Sequence, residues 1–401
     1  MGVGTAKTQV NISLHPFDLI VILGIAQGLL YAILLLTKYG QYPSKQLLAF
    51  LLFVFCILSA KILLHTLGLW QNPHLRYIPL AFDLAIQPLL YLYVVSLTQR
   101  NFVFKRAYWL HFTPTLLFML HAVLVYSRTQ ATDNLAIKDQ LAEDLYFNTV
   151  KSIEDVLSVL SGIAYGLISY RRLVRYRQWL FNSISNSAYP GYLWLRTILV
   201  LMGGALLLLG LNLFLDMGLG FNGRYFFHWQ LFYVYLAANV YYLGIVGYQQ
   251  PPFDVAFDES VADTSPKRVL DTLKDDQIQG VKSRIETALE QESVFLDPDL
   301  SLNSLAVHLQ VSPGIVSAVI NSEFEKSFRS LINERRVEEV KRRLTDPAYK
   351  HLSILGIALE TGFNSEASFY RVFKSVTGLS PRQYTAQNTP NIVIENSQKP
   401  K

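Results

Sequence analysis

The stretch Gly362-Phe-Asn-Ser-Glu-Ala-Ser-Phe-Tyr-Arg-Val-Phe-Lys374 decides how the C-terminal part of this chain folds. Just before it, Ile354, Ile357 and Ala358 recur at helical spacing. Gly362 supplies the backbone freedom that ends such a helix. Asn364 and Ser365 offer cap oxygens to a new helix, whose buried face is Phe369, Val372 and Phe373. Two short helices joined by a glycine-containing turn describe a helix-turn-helix.

The same design occurs about fifty residues earlier. Leu302, Leu305, Ala306 and Leu309 share one helical face, and Gln310-Val311-Ser312 forms a turn. Pro313 then suits the first position of a helix burying Val316, Val319 and Ile320. Ala306 maps onto Ala358 at an offset of 52 and Val316 onto Phe369 at 53, so the second turn holds one extra residue. This predicts an internal repeat of a DNA-reading unit. A helix over 327–345, with Phe328, Leu331, Ile332, Val340 and Leu344 inward, joins the copies.

At this point the sequence resembles a known family. Leu300-Ser-Leu-Asn-Ser-Leu-Ala306, Ser312-Pro313, Gly362-Phe363, Tyr370-Arg-Val-Phe-Lys374, Thr377-Gly-Leu-Ser-Pro381 and Tyr384 are similar to the two-motif DNA-binding domain of the arabinose-regulator (AraC) family of bacterial transcription factors. The resemblance covers roughly the last quarter of the chain. It implies double-stranded DNA as a partner, two recognition helices in successive major-groove segments, and commonly a homodimer. Carried over by position, the exposed candidates are Gly314, Ser317, Ala318 and Asn321 in the first recognition helix. In the second they are Glu366, Ala367, Ser368 and Arg371, with Lys374 one turn on. Ala318 and Asn321 stand where the family often has arginine and lysine, which leaves the first helix short of long donors. Arg371 suits a bidentate guanine contact, or a surface ion pair with Glu366 or an acid of the joining helix, and Lys374 suits a phosphate.

Charge refines the expectation. Residues 298–385 hold eleven Lys and Arg against nine Asp and Glu, a net of +2. Arg335, Arg336, Lys341, Arg342 and Arg343 crowd the joining helix among Glu334, Glu338 and Glu339. They read either as a phosphate-binding cluster or as a solvated face of ion pairs.

Before residue 250 the composition is different. The chain is 51% hydrophobic, too apolar for an ordinary soluble protein, and the excess lies in this part. Seven apolar spans, near 17–37, 46–69, 77–98, 106–127, 152–171, 193–216 and 226–248, each approach the ~20 residues that cross a bilayer. The fifth carries Glu154 and Asp155 in its first turn. Residues 1–16 lack a signal-peptide layout, and the single cysteine, Cys56, permits no intrachain disulfide.

Seven crossings put the termini on opposite sides. Loops on the C-terminal side carry nine basic residues: Lys38, Lys45, Arg100, Lys105, Arg106, Arg171, Arg172, Arg175 and Arg177. The other side carries six, namely Lys7, Arg76, Arg128, Lys138, Lys151 and Arg224. The charge bias predicts a cytoplasmic C-terminus and a periplasmic N-terminus in a bacterial inner membrane.

Lys61 and Asp83 fall inside the second and third spans, at similar depths of roughly 9–12 Å, and are expected to pair. His65 and Gln87 follow them by one turn, and the four are candidates for a signal pocket. His121, Glu154, Asp216 and His228 read as hydrated residues near helix ends. No HxxxH or HExxH pattern occurs, so no metal, cofactor or catalytic residue is expected. Gly203, Gly204 and Gly210 read as helix-packing positions, and Pro88 and Pro114 as possible helix breaks.

Gln249-Gln-Pro-Pro252 ends the seventh span, and residues 253–268 read as an acidic, polar, turn-rich tether. A helical stripe of Ile278, Val281, Ile285, Ala288 and Leu289 follows, to be covered by the first helix-turn-helix or by a second copy of itself. The expected architecture is all-α: a polytopic seven-helix transmembrane bundle (1–248), a linker with an amphipathic helix (249–297), a soluble double helix-turn-helix domain (298–385) and a disordered tail (386–401). The expected function is a membrane-embedded one-component transcription regulator, not an enzyme, with the lipid bilayer, DNA and an unknown signal ligand as partners. The alternative is a transporter or channel whose helix-turn-helix tail is a regulatory or protein-binding module; no repeat between spans 1–3 and 5–7 favours it.

Overall fold

The computed structural model describes residues 14–99, 102–184, 190–221, 225–250, 269–271 and 273–388. The described residues are helical and contain no strand beyond single bridges. The chain divides into two compact units, Met1–Val174 with Gly191–Ala256, and Arg175–Pro190 with Phe257–Lys401. The expected tether at 253–268 lies outside the described residues, as do residues 389–401 of the expected disordered tail; residues 386–388 of that tail are instead helical, continuing the last helix to Asn388.

The first unit is built from α1 (Pro16–Tyr39), α2 (Pro43–Thr66), α3 (Ile86–Thr98), α4 (Thr113–Thr129), α5 (Leu135–Asp144), α6 (Phe147–Ser183, entering the second unit's range at Arg175), α7 (Pro190–Gly218) and α8 (Phe227–Gln249). Among the described residues, six helical stretches are long and apolar enough to cross a membrane, and the apolar helix Asp83–Thr98 is shorter. Their hydrophobicity does not point only inward. Leu35, Leu48, Leu51, Leu52, Leu92 and Val240 are buried, whereas Leu23, Ile33, Leu117, Leu120, Leu160, Leu207 and Phe214 lie on the outside.

The third span is shorter than 77–98. Pro79 disfavours helix at Ile78, Tyr77 has φ +61°, and helix begins only at a 3-10 turn over Asp83–Ala85. Asp83 is therefore at a helix start and not six residues inside one, and Lys61 is five residues from the end of α2. Pro88 and Pro114 fall in the first turns of α3 and α4, just after the 3-10 segments Asp83–Ala85 and Arg106–Phe112, and each helical stretch runs on past its proline without a break. The glycine expectation needs correcting too. Gly204 packs closely on Tyr235, but a Cβ on Gly203 or Gly210 would meet nothing. Close approaches between helices also occur at Gly28, against Cys56 and Val240, and at Gly247, against Leu48. Helices α1, α2 and α8 meet there.

The second unit contains α9 (Asp275–Glu290), α10 (Leu302–His308), α11 (Pro313–Glu323), α12 (Phe328–Thr345), α13 (Ile354–Glu360), α14 (Glu366–Thr377) and α15 (Pro381–Asn388). It has two small cores. Val281, Ile285, Ala288 and Leu289 of α9 join Leu302, Leu305, Val316, Val319, Phe328 and Ile332 in the first. The amphipathic stripe thus packs on the first helix-turn-helix. Val337 and Val340 join Ile357, Ala358, Phe363, Phe369 and Phe373 in the second, edged by Tyr384. Helix α12 contributes its first half to one core and its second half to the other, which makes it the rigid joint between the motifs.

Candidate nucleic-acid interface

Helices α10 and α11 meet at 102°, within the range of a helix-turn-helix. The repeat is visible in its hydrogen bonds. Ser301 Oγ accepts from Ser304 N, and Ser353 Oγ accepts from Gly356 N, capping the two leading helices at an offset of 52. Within the turns, Val311 N donates to Ala306 O at 3.0 Å and Phe363 N to Ala358 O at 3.1 Å, again 52 apart. The recognition helices are capped by Ser312 and Ser365, now 53 apart. Asn364 is therefore the inserted residue, and Ser365 rather than Asn364 is the cap.

The turns reverse the chain through left-handed residues, Gln310 at φ +54° and Gly362 at φ +91°. A Cβ on Gly362 would lie 2.7 Å from Phe295 O and 2.8 Å from Arg336 Nε. That space is taken by a feature hidden within the basic run of α12. Arg336 is only 1% exposed, and its Nε and Nη2 donate to Phe295 O and Asp297 O, each at 2.7 Å. Its guanidinium also lies 6.0 Å from the Phe363 ring centroid. Burial pulls this guanidinium down to about 10, still charged at neutral pH. Arg336 fastens the 3-10 turn Val294–Leu296 of the first core to the turn of the second motif.

The other cations of α12 are engaged as well. Arg335 pairs with Glu290 at 3.0 Å and Lys341 with Glu338 at 2.8 Å. Glu339 accepts from Arg342 and Arg343, each at 2.7 Å, and Arg343 also reaches Glu360 at 3.2 Å. Hydrogen bonds from Arg342 and Arg343 hold the Glu339 carboxyl below its usual range. Of the two readings of this cluster, the ion-paired helix face is the one that forms.

The recognition helices differ. On α11, Asn321 is exposed and its Nδ2 donates to Ser317 Oγ at 3.5 Å, while Ser317 and Gly314 are half-buried. Ala318 is buried, so it is not the exposed position that the sequence suggested. On α14, Glu366, Ala367, Arg371 and Lys374 are all exposed. Ser368 is buried under the cap and does not present its hydroxyl on the surface. No ion pair joins Arg371 to Glu366; among the described residues Arg371 and Lys374 have no side-chain partner. Two long cations thus stand free, one turn apart, on the exposed face of α14. Gly378, at φ +76°, ends this helix, and Tyr384 of α15 closes over Phe373 at 5.6 Å between ring centroids.

The signal-pocket candidates lie in the first unit. The pair between Lys61 and Asp83 forms at 3.0 Å. Lys151, read from sequence only as a loop charge, joins Asp83 at 3.2 Å, Glu154 at 2.9 Å and Asp155 at 2.6 Å. Gln87 is buried and donates to Ser158 O at 3.2 Å. His65 instead stacks on Trp70, 4.6 Å between centroids, outside this hydrogen-bonded set. Glu154 is not a hydrated end residue, being only 2% exposed. His121 bonds Leu145 O at 2.9 Å, and Asp216 accepts from Trp229 and contacts His228 at 2.9 Å, so these are structural partners. Lys151 and Glu154 share the i, i+3 and i+4 spacing with Asp155, a signal that identifies one helix face but not what packs on it.

The geometry defines a double helix-turn-helix DNA-binding domain. Residues 305–387 match the family model described as a helix-turn-helix domain. An uncharacterized HTH-type transcriptional regulator of Staphylococcus aureus is 33% identical over 126 residues, covering 31% of this chain and 15% of that protein. The melibiose operon regulatory protein of Escherichia coli (strain K12) is 31% identical over 88 residues, covering 22% of this chain and 28% of that protein. The C-terminal domain is of the arabinose-regulator type. The chain spans between 15% and 28% of the length of these relatives. No solved structure matches.

Proposed function

We propose that this protein is a membrane-embedded one-component transcription regulator, in which a helical bundle receives a signal and a cytoplasmic double helix-turn-helix domain reads DNA. The observation that carries the DNA-reading half is the exposed, unpartnered Arg371 and Lys374 on the second recognition helix of a capped repeat. Arg371 reads a guanine edge through its two parallel donors, and Lys374 contacts a phosphate. In this reading Ser317, Asn321 and Glu366 make shorter-range or water-mediated contacts. Ser368 positions the helix rather than the DNA.

Embedding in the bacterial inner membrane is supported by the long apolar stretches and by the apolar side chains on the outside of the first unit. The basic residues near one end of the helices, Lys38, Lys45, Arg171 and Arg172, support a cytoplasmic placement of that end. The N-terminus then faces the periplasm, as does the end bearing Lys61, Asp83 and Lys151. A homodimer is part of the reading, since two domains give a palindromic operator two half-sites.

The test is selection from a random DNA library by the full-length protein in detergent, at stated salt, because phosphate contacts dominate affinity. Enrichment of one motif is expected, with the protein recovered in the membrane fraction after alkaline washing. Recovery of no motif from folded, membrane-extracted protein removes the regulator reading.

A further inference from the structure

The charge cluster of the first unit is incomplete in a way that specifies what would complete it. It brings together the end of α2 (Lys61), the start of α3 (Asp83, Gln87) and one face of α6 (Lys151, Glu154, Asp155, Ser158). Lys151 uses all three of its donors, on Asp83, Glu154 and Asp155. Two ammonium groups face three carboxylates, so the set carries one uncompensated negative charge when all are ionised. The same elements hold three buried oxygens without a hydrogen-bond partner among the described residues, Glu154 Oε1, Gln87 Oε1 and Ser158 Oγ; Ser158 follows Glu154 by one turn of α6, and Gln87 is tied to that turn through its bond to Ser158 O. Their residues are 2%, 9% and 2% exposed. Buried polar atoms ordinarily have partners, so three together mark a place for a donor.

We propose that this cluster is a binding site for the primary ammonium group of a small solute, seated on Glu154 with Gln87 and Ser158 as its further acceptors. An ammonium offers three N–H donors and one positive charge, matching three unpartnered oxygens and a net charge of −1. A proton on Glu154 would neutralise the charge but supply one donor, and a water would supply no charge. A metal ion fits less well, because among the described residues no group of His, Cys, Asp and Glu is placed to hold one. The rim is partly accessible, with the side chains of Lys61, Asp83, Lys151 and Asp155 at 26%, 25%, 27% and 24% exposure, while the three oxygens are covered, so the ammonium reaches them by displacing rim side chains. Tyr233 of α8 is the further titratable group in electrostatic reach of Asp83 and Lys151. The site deepens the signal-receiving reading given above, and rests on it for its regulatory meaning only.

The test uses full-length protein in nanodiscs, with methylammonium chloride as probe. All five tryptophans lie before residue 230, so their fluorescence follows unfolding of the N-terminal part of the chain. Methylammonium should raise the unfolding midpoint by about 3 °C near saturation, relative to sodium chloride at equal ionic strength. Tetramethylammonium, which has charge but no N–H, should not. Glu154→Gln should abolish the shift, and if that variant does not fold, Gln87→Leu with Ser158→Ala should reduce it at least tenfold in methylammonium affinity. Equal shifts from both cations, no shift in the wild type, or an unchanged shift in the variants overturn the proposal. So does a shift reproduced by acid pH alone, to which methylammonium adds nothing. DNA occupancy read on the same sample keeps the two ideas apart. A methylammonium shift with unaltered DNA binding leaves the site standing and removes its role as a signal input; normal DNA binding without any shift removes the site and leaves the regulator.

Discussion

In the first helix-turn-helix the turn passes through Gln310 at φ +54°, whereas in the second the same place is held by Gly362 at φ +91°. Both copies need a left-handed residue there, and both close the turn with the same backbone bond, to Ala306 O or Ala358 O. The difference lies in what surrounds the turn. Gly362 is pressed against Phe295 O and Arg336 Nε, leaving no room for a side chain. Gln310 is an exposed residue that meets no such demand. The recognition faces diverge in the same way. The first offers Ser317 and Asn321 bonded to each other, and the second offers Arg371 and Lys374 with no partner. One backbone plan thus carries two different loads: the second copy holds the free charge, and its turn is locked to the first core.

The largest expected effect probes that lock. Arg336→Ala should cost about 3–5 kcal/mol in urea unfolding of the protein's C-terminal unit, because two carbonyls lose buried charged donors. Arg336→Lys should recover only part, since one ammonium cannot reproduce the guanidinium fork. A cost below ~1 kcal/mol would show that the two cores do not depend on this residue.

Gly362→Ala comes next, at about 2–3 kcal/mol, combining backbone strain with the contacts its Cβ would force. The matched change in the other copy, Gln310→Gly, should stabilise by up to ~0.5 kcal/mol. If both turns respond alike, the asymmetry argued above is wrong.

On DNA, Arg371→Ala should erase preference at one base pair, worth ~1–3 kcal/mol of discrimination, in binding-site selection. Uniform weakening across all sequences would reassign Arg371 to phosphate. Lys374→Ala should instead weaken all sequences and lower the salt slope by about 1. Asn321→Ala in the first copy should change selectivity by less than Arg371→Ala does.

The smallest effect is a pH dependence. Hydrogen bonds from Arg342 and Arg343 hold the Glu339 carboxyl below its ordinary value of 4.5, so the folded state binds fewer protons than the unfolded one. The resulting stability is present above pH 4.5 and is lost as pH falls through the lower folded value. Because Glu339 is partly solvated, the change is a few tenths of a kcal/mol. Comparing acid unfolding of wild type and Glu339→Gln measures it; a variant with the same acid slope would remove the effect.

The repeat was legible because capping and helical periodicity are local. Ser301 and Ser353, Ser312 and Ser365, and the apolar faces of α10, α11, α13 and α14 all act over three to five residues. The long apolar stretches were equally plain. The start of the third helix is not legible in the same way, since hydropathy runs through Pro79 while the helical backbone begins only at Asp83. Ala318 and Ser368 are buried where the pattern implies exposure, because a helical position fixes direction to within one face but not how deeply a neighbour covers it.

By itself, then, the sequence determined the all-helical class, the split between an apolar and a polar half, and the two capped DNA-reading units. Tertiary structure alone decided which charges are free. Arg335 and Arg336 are adjacent in sequence, yet one is on the surface and the other buried on carbonyls 39 and 41 residues away. Lys151 and Glu154 looked like loop and end charges until α6 met Asp83, 68 residues earlier for Lys151. Local patterns say which face a side chain occupies; only packing across such separations says what that face meets, and burial there sets whether a charge must be paired.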